Sequence, residues 1–203
     1  MSPSISELLD LHARALFVHD ADDRITHVNE PAGARAPRCF CARSTQDTTT
    51  LYRLRDDVAE HPPDSALSPD GPAYVFPLSL PASTAVALGP ADIALVRDLG
   101  WTDDEFPRDF AVRAPFFAIV DRDRAVSLCF TARLTARAAE AGVTTHPDHR
   151  GRGHAATVVA AWARAIRASG RIPLYSTSWT NAASQSVARK LGLIHYASDF
   201  SVT

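Results

Sequence analysis

The chain has little with which to cross-link itself or hold a metal. Its 203 residues include only three cysteines, Cys39, Cys41 and Cys129, an odd number at a spacing that builds no disulfide framework. Cys39 and Cys41 lack a second Cys or His pair at zinc-like spacing. They read as small apolar strand residues, and no metal is expected. No apolar run approaches the ~18 residues of a membrane-spanning helix, so no membrane partner is expected. The opening MSPSISELLD lacks the basic and apolar regions of a signal peptide, and the expected location is cytoplasmic. Lysine and arginine number 21 against 23 acidic residues, for a formal net charge of −2. That balance argues against a nucleic-acid partner, because such domains carry a strongly positive face. Two phosphate-binding signatures are missing as well. GxxxxGK[ST] does not occur. Gly151-Arg152-Gly153 is followed three residues on by Ala156, and Arg171 and Ile172 stand where a dinucleotide site needs an acidic residue.

What is present is enough for a folded α/β chain. Hydrophobic residues make up 46%, so a core can be buried at this length. SISELLDLHARALF reads as a helix with Ser4 and Glu7 at capping-box spacing. ALFVH, RITHVN, RCFCAR and TTLYRL read as short strands. Residues 61–72, HPPDSALSPDGP, read as a linker or long surface loop. YVFPLSL carries a proline that suits an edge strand or none, and PADIALVRDLG suggests a short helix closed by Gly100. From about residue 110 the pattern is sharper. PFFAIV, AVSLCFT and RAAEAGVTT read as strands. A helix follows with Ala155, Val158, Val159, Trp162 and Ile166 on one face. Then come the strand IPLYSTSW, a helix from near Asn181 to Gly192 with Ala183, Val187 and Leu191 inward, and the closing strand IHYASDFSV.

Between the strand ending GVTT and the helix lies HPDHRGRGHA, a bare and basic turn. A helix N-terminus leaves up to four peptide N–H groups without intrahelical partners, and its dipole adds about half a positive charge. Gly151 and Gly153 clear the approach and permit unusual dihedrals. Arg150 and Arg152 add charge. The turn therefore has the makings of an anion cradle suited to a diphosphate; a plain solvated loop is the other reading.

On these residues the C-terminal half resembles the GNAT superfamily of acyl-CoA-dependent N-acetyltransferases. The family's pyrophosphate motif is [QR]-x-x-G-x-[GA], and Arg150, Gly153 and Ala155 match it in register. NAASQSVARKLGL is similar to the family's Asn-led helix: Asn181 and Lys190-Leu191-Gly192 match, while Leu193 replaces a Phe. The resemblance implies a GNAT fold, a mixed and mostly antiparallel central sheet flanked by helices. It divides the chain into an N-terminal α/β extension of unknown role (1–88) and an acetyltransferase domain (89–203). It implies acetyl-CoA as co-substrate and a small-molecule primary amine as acceptor. It places Gly142, Val143, Thr144 and Thr145 along the pantetheine and Arg150, Gly151, Arg152, Gly153, His154 and Ala155 at the pyrophosphate. Asn181 and Ser184 meet the other side of the coenzyme, with N-capping as the alternative role of Asn181.

An attacking amine must be neutral, so the reaction also implies a base, and the developing oxyanion needs a donor, taken to be a backbone N–H near Val143. Glu140 is the first candidate base, provided that a bulge turns it to the right face. His146 and His149 are further candidates. The family commonly has a Tyr seven residues after the Asn as acid to the leaving thiolate. Here that place is Ala188, so Ser178, Tyr175 or Tyr196 is left to substitute. A non-catalytic acyl-CoA-binding module is the alternative function. The first 88 residues either shape the acceptor pocket or form a homodimer interface.

Overall fold

The computed structural model describes residues 3–203. Helix α1 (Ile5–Leu16) starts where the sequence places it: Ser4 Oγ accepts from the Glu7 N–H at 3.3 Å. Its buried face carries Leu8, Leu9, Leu11 and His12. The short strands β1 (Phe17–His19) and β2 (Ile25–Val28) pair with each other. The remaining strands are β3 (Cys39–Ser44), β4 (Thr50–Leu54), β5 (Ser68–Val75), β6 (Val86–Leu88), β7 (Phe116–Asp121), β8 (Arg124–Leu134), β9 (Ala138–Thr145), β10 (Ile172–Ser176) and β11 (Ile194–Val202). They form one nine-stranded sheet in the order β4-β3-β11-β5-β10-β9-β8-β7-β6. Every neighbouring pair is antiparallel except β9 and β10. The sheet runs unbroken across residue 88, because β3, β4 and β5 pair around β11 and against β10.

Helices cover both faces. α4 (His154–Ala168) and α5 (Ala182–Lys190) bury Val158, Val159, Trp162, Ile166, Val187 and Leu191 against Ala139, Cys129 and Tyr175 on one face. On the other face α1 packs Leu8, Leu9 and Leu11 against Phe40, Ala73, Ala138, Leu174 and Tyr196. Successive strand residues point to opposite faces. Leu174 and Ala138 therefore face α1, while Tyr175 and Ala139 face α4. At one end of the sheet, α2 (Ile93–Val96) and α3 (Glu105–Arg113) close an aromatic cluster of Trp101, Phe106, Phe110, Phe116 and Phe130. Periodicity alone did not reveal α3, whose Pro107 is tolerated because it lies in the first turn.

Two sequence expectations are corrected here. Residues 61–72 are not a loop throughout, because β5 begins at Ser68 and runs through Pro69 and Pro72. Of YVFPLSL, Tyr74 and Val75 end β5, a central strand between β11 and β10 rather than an edge, while Pro77 lies beyond it in no strand. The prolines are tolerated because β10 ends at Ser176. Beyond it the carbonyls of Pro72 and Asp70 accept from the N–H groups of Thr177 and Trp179 at 3.3 and 3.1 Å. The N–H that Pro72 lacks would face the same side as its carbonyl, so the contact with this segment gives up one bond there. β5 itself bulges beside Pro69: Gly71 pairs with Asp199 and Pro69 with Phe200, which leaves Asp70 as the extra residue.

Candidate active site

The parallel pair β9–β10 is joined only from Ile172–Leu174 to Ala138–Glu140. Past that rung the strands part. β9 stays paired to β8 as far as Thr145, so the edge of β9 facing β10 is open beyond Glu140. Into this gap points the turn between β9 and α4. A single helical turn at Pro147–His149 sets it up, with His146 Nδ1 accepting from the Asp148 N–H at 3.4 Å. Gly151 and Gly153 then take φ of +77° and +87°, a left-handed backbone in which L side chains are strained. A Cβ at either position would meet nothing within 4 Å. These glycines therefore serve backbone shape and leave the space in front of them clear.

The peptide N–H groups of residues 151–155 donate to no other group of the chain. Five bare donors at the start of a fifteen-residue helix form a cradle of partial positive charge. They border a cavity of about 490 Å³ lined by Val143, Thr144, Thr145, Arg150, Gly151, Gly153, His154, Ala155, Asn181 and Ser184. Every residue expected at the coenzyme is on that wall except Gly142 and Arg152, the latter turning its guanidinium back to the Asp148 carbonyl at 3.0 Å. Arg150 Nε donates to the Thr145 carbonyl at 3.3 Å. Asn181 caps α5, its Oδ1 accepting from the Ser184 N–H at 3.0 Å, and still lines the cavity; position and cap coexist. His149 and Lys190 also line it, the latter being the single lysine of the chain. Lys190 follows Ala183 and Val187 at helical spacing along the cavity side of α5, although Ala183, expected inward, is exposed. Burial, and then the charges of Arg152 and Arg124, lower the His149 pKa, which favours a neutral imidazole.

The three residues expected at the chemistry lie in three different settings. Glu140 sits on the last paired rung, at the apex of the gap, and faces α1 rather than α4. The irregularity beside it lies in β8, between Thr131 and Arg133, and not in β9. Its carboxylate is buried, with Oε2 held by Arg133 Nη1 at 2.7 Å and Oε1 accepting from Ser176 Oγ. Arg133 also bonds Glu30 at 2.5 Å. His146 lies outside the cavities described here and caps its own turn. Ser178, bonded to Thr180 at 3.1 Å, lines a second cavity on the α1 face.

That second cavity, about 630 Å³, adjoins the gap through Ser176, Thr177 and Ser178, and Arg133, Asp70 and Asp199 are also on its wall. No motif pointed to it, because its wall comes from β5, β8, β10, β11 and the loop after β2. Ala188 is buried, so no acid group stands at that place. Tyr175 brings its hydroxyl within 3.4 Å of the Ser184 carbonyl, and burial pushes it up to about 12. It thus stays protonated at neutral pH and donates to that carbonyl. The Tyr196 hydroxyl is buried without a partner on the α1 face. Burial raises the thiols of Cys39 (to about 11), Cys41 and Cys129, which leaves no thiolate nucleophile. Among the described residues no group of three or more His, Cys, Asp or Glu is placed to hold a metal ion, and no helix is long and apolar enough to cross a membrane.

A mixed sheet that splays at one parallel pair, with a glycine-shaped helix N-terminus facing the opening, defines an α/β protein with a cleft between two strands. Comparison with known families identifies which one: residues 100–199 match the model described as GNAT acetyltransferase and form a domain of that family. The fold is similar to that of an acetyltransferase of the GNAT family from Colwellia psychrerythraea, with TM-score 0.52 and 15% identity over 68% of this chain. The matched part spans 57% of that protein's length. A GNAT-family protein from Novosphingobium aromaticivorans gives TM-score 0.50 and 21% identity, covering 71% of this chain and 70% of its own. No curated protein matches.

Proposed function

We propose that the protein is an acetyl-CoA-dependent N-acetyltransferase acting on a primary amine of a small molecule. The observation that carries this reading is the set of unpaired amides at residues 151–155 beside the open edge of β9. Those donors fit a diphosphate, and an exposed strand edge fits the amides of a pantetheine arm as an added strand would. Val143, Thr144 and Thr145 would hold the arm; Arg150, Gly151, Gly153, His154 and Ala155 the diphosphate, with Arg152 lending charge; Asn181 and Ser184 the far side. Bound acetyl-CoA supplies the acetyl group as a thioester.

For the chain's own part, the acceptor nitrogen must shed a proton. Glu140, reached through Ser176 Oγ on the wall of the second cavity, is the proposed proton acceptor. Ser178 is the proposed donor on that wall, and His146 is left as a solvent-side proton carrier. Residues 1–88 are proposed to build the acceptor side, since α1, β3 and β5 surround that cavity.

Thermal unfolding with acetyl-CoA tests the reading. Ligand at 100 times its Kd adds about 2.7 kcal/mol, and Gly153→Trp, which fills the cradle, should abolish the shift. An unshifted melt at millimolar acetyl-CoA would sink it. The rival, a binding module without chemistry, is favoured by the buried Ala188. It predicts the same shift with no free CoA released across a panel of amines.

A further inference from the structure

The second cavity contains an unexplained carboxylate. Asp199 is buried, its side chain 7% exposed, and Oδ2 bonds His12 Nε2 at 2.7 Å. Oδ1 has no partner in the chain, yet Asp199 is on the cavity wall. A buried carboxylate oxygen without a partner costs free energy that folding must offset elsewhere. A second carboxylate, Asp70, shares the wall, and its Oδ1 accepts from Ser201 Oγ at 2.9 Å. The two belong to paired strands: Asp199 stands opposite Gly71 and Ser201 opposite Ser68, across the bulge. Burial raises the Asp70 pKa against the opposing bond from Ser201, and the Asp199 charge raises it further. Like charges held together in a half-dry cavity disfavour each other, and either a proton or a cation near both relieves them.

The other charged groups around the cavity each have a partner within the chain. Arg133 lies between Glu30 and Glu140. Arg35 and Arg55 share Asp57. His12, with Phe40 and Tyr196 edge-on to it, holds Asp199 from behind. What is left over is the unpartnered Asp199 Oδ1 and the Asp70 carboxylate, on the wall beside Ser176 and Ser178, next to the strand gap.

We propose that Asp70 and Asp199 form an ammonium-binding pair that receives the acceptor amine in its protonated form, with His12 as the residue that positions Asp199. This rests on the acetyltransferase reading for its role, though the binding does not. The occupant is a small primary ammonium ion that enters from the α1 face and meets the thioester across the gap.

The test is thermal unfolding of the full chain with a panel of alkyl- and arylalkylammonium ions, from butylammonium to phenethylammonium, each set against its neutral alcohol. Ammonium members are expected to stabilise the wild-type protein and alcohols are not. Asp70→Asn and Asp199→Asn should each weaken that binding at least tenfold while keeping the acetyl-CoA shift. Should Asp199→Asn fail to fold, Asp70→Asn, whose group bonds only Ser201, decides. The proposal is overturned if no ammonium ion stabilises the protein, if both variants bind as the wild type does, or if alcohols or magnesium ions stabilise equally. A wild type that binds ammonium ions but not acetyl-CoA would remove the acetyltransferase reading and leave the ammonium site standing.

Discussion

His12 shows how a single buried group ties stability to pH. Burial alone lowers its pKa, but the charge and hydrogen bond of Asp199 outweigh that, with a smaller push from Glu140 against Arg133, and the net shift is upward from 6.5. A histidine raised in the native state stabilises it fully below the unfolded value. The contribution disappears as pH rises through the native value. Urea midpoints measured from pH 5.5 to 9 should therefore decline above 6.5 in the wild type, and His12→Gln should remove that component. Gly153 is a second such residue. Its φ of +87° makes Gly153→Ala cost about 1–2 kcal/mol, read from urea unfolding, although a methyl group would touch nothing. Glu140→Gln keeps the shape of the apex and removes the proton acceptor. If Glu140 has the proposed role, kcat should fall roughly 100-fold or more with little change in the KM for acetyl-CoA.

Helix α4 carries two duties at once. Its first turn offers bare amides, and its inner stripe anchors the sheet. Trp162 is fully buried, and its Nε1 donates to Thr131 Oγ1 at 3.1 Å, beside the β8 bulge. Thr131 in turn donates to the Ala114 carbonyl at 3.0 Å. Trp162→Ala should cost about 3–5 kcal/mol, measured by urea unfolding, and weaken acetyl-CoA binding only as far as the helix start shifts. The inward stripe of α4 was legible because helical period and burial coincide over fifteen residues. Strand β5 was not, because prolines at 69 and 72 suggest a break. They are accommodated because β10 ends beside them and β5 itself bulges at Asp70.

The nine strands form one mechanical unit although the family match begins at residue 100. Removing residues 1–88 would strip β3, β4, β5 and β6 together with α1. β11 would lose both neighbours and β10 would lose one. Unpaired edges and an uncovered apolar face favour aggregation. A chain of residues 89–203 alone is therefore expected to be insoluble or unfolded by circular dichroism, while co-expression of the two parts should restore some folded protein. The two cavities lie on opposite faces of this sheet and approach each other at the β9–β10 gap, a placement that lets two ligands enter from separate sides.

The glycine-rich turn, the α4 stripe and the Asn181 cap could be read from contiguous residues, since left-handed turns, helical period and capping are encoded within a few positions of each other. The acceptor-side cavity could not. His12 meets Asp199 across a separation of 187 residues, Asp70 joins them through β-pairing register, and Glu140 lost its free carboxylate to Arg133 on the neighbouring strand. Such contacts depend on which strands pair and in what register, and those choices are settled by packing the whole sheet rather than by any local stretch of chain.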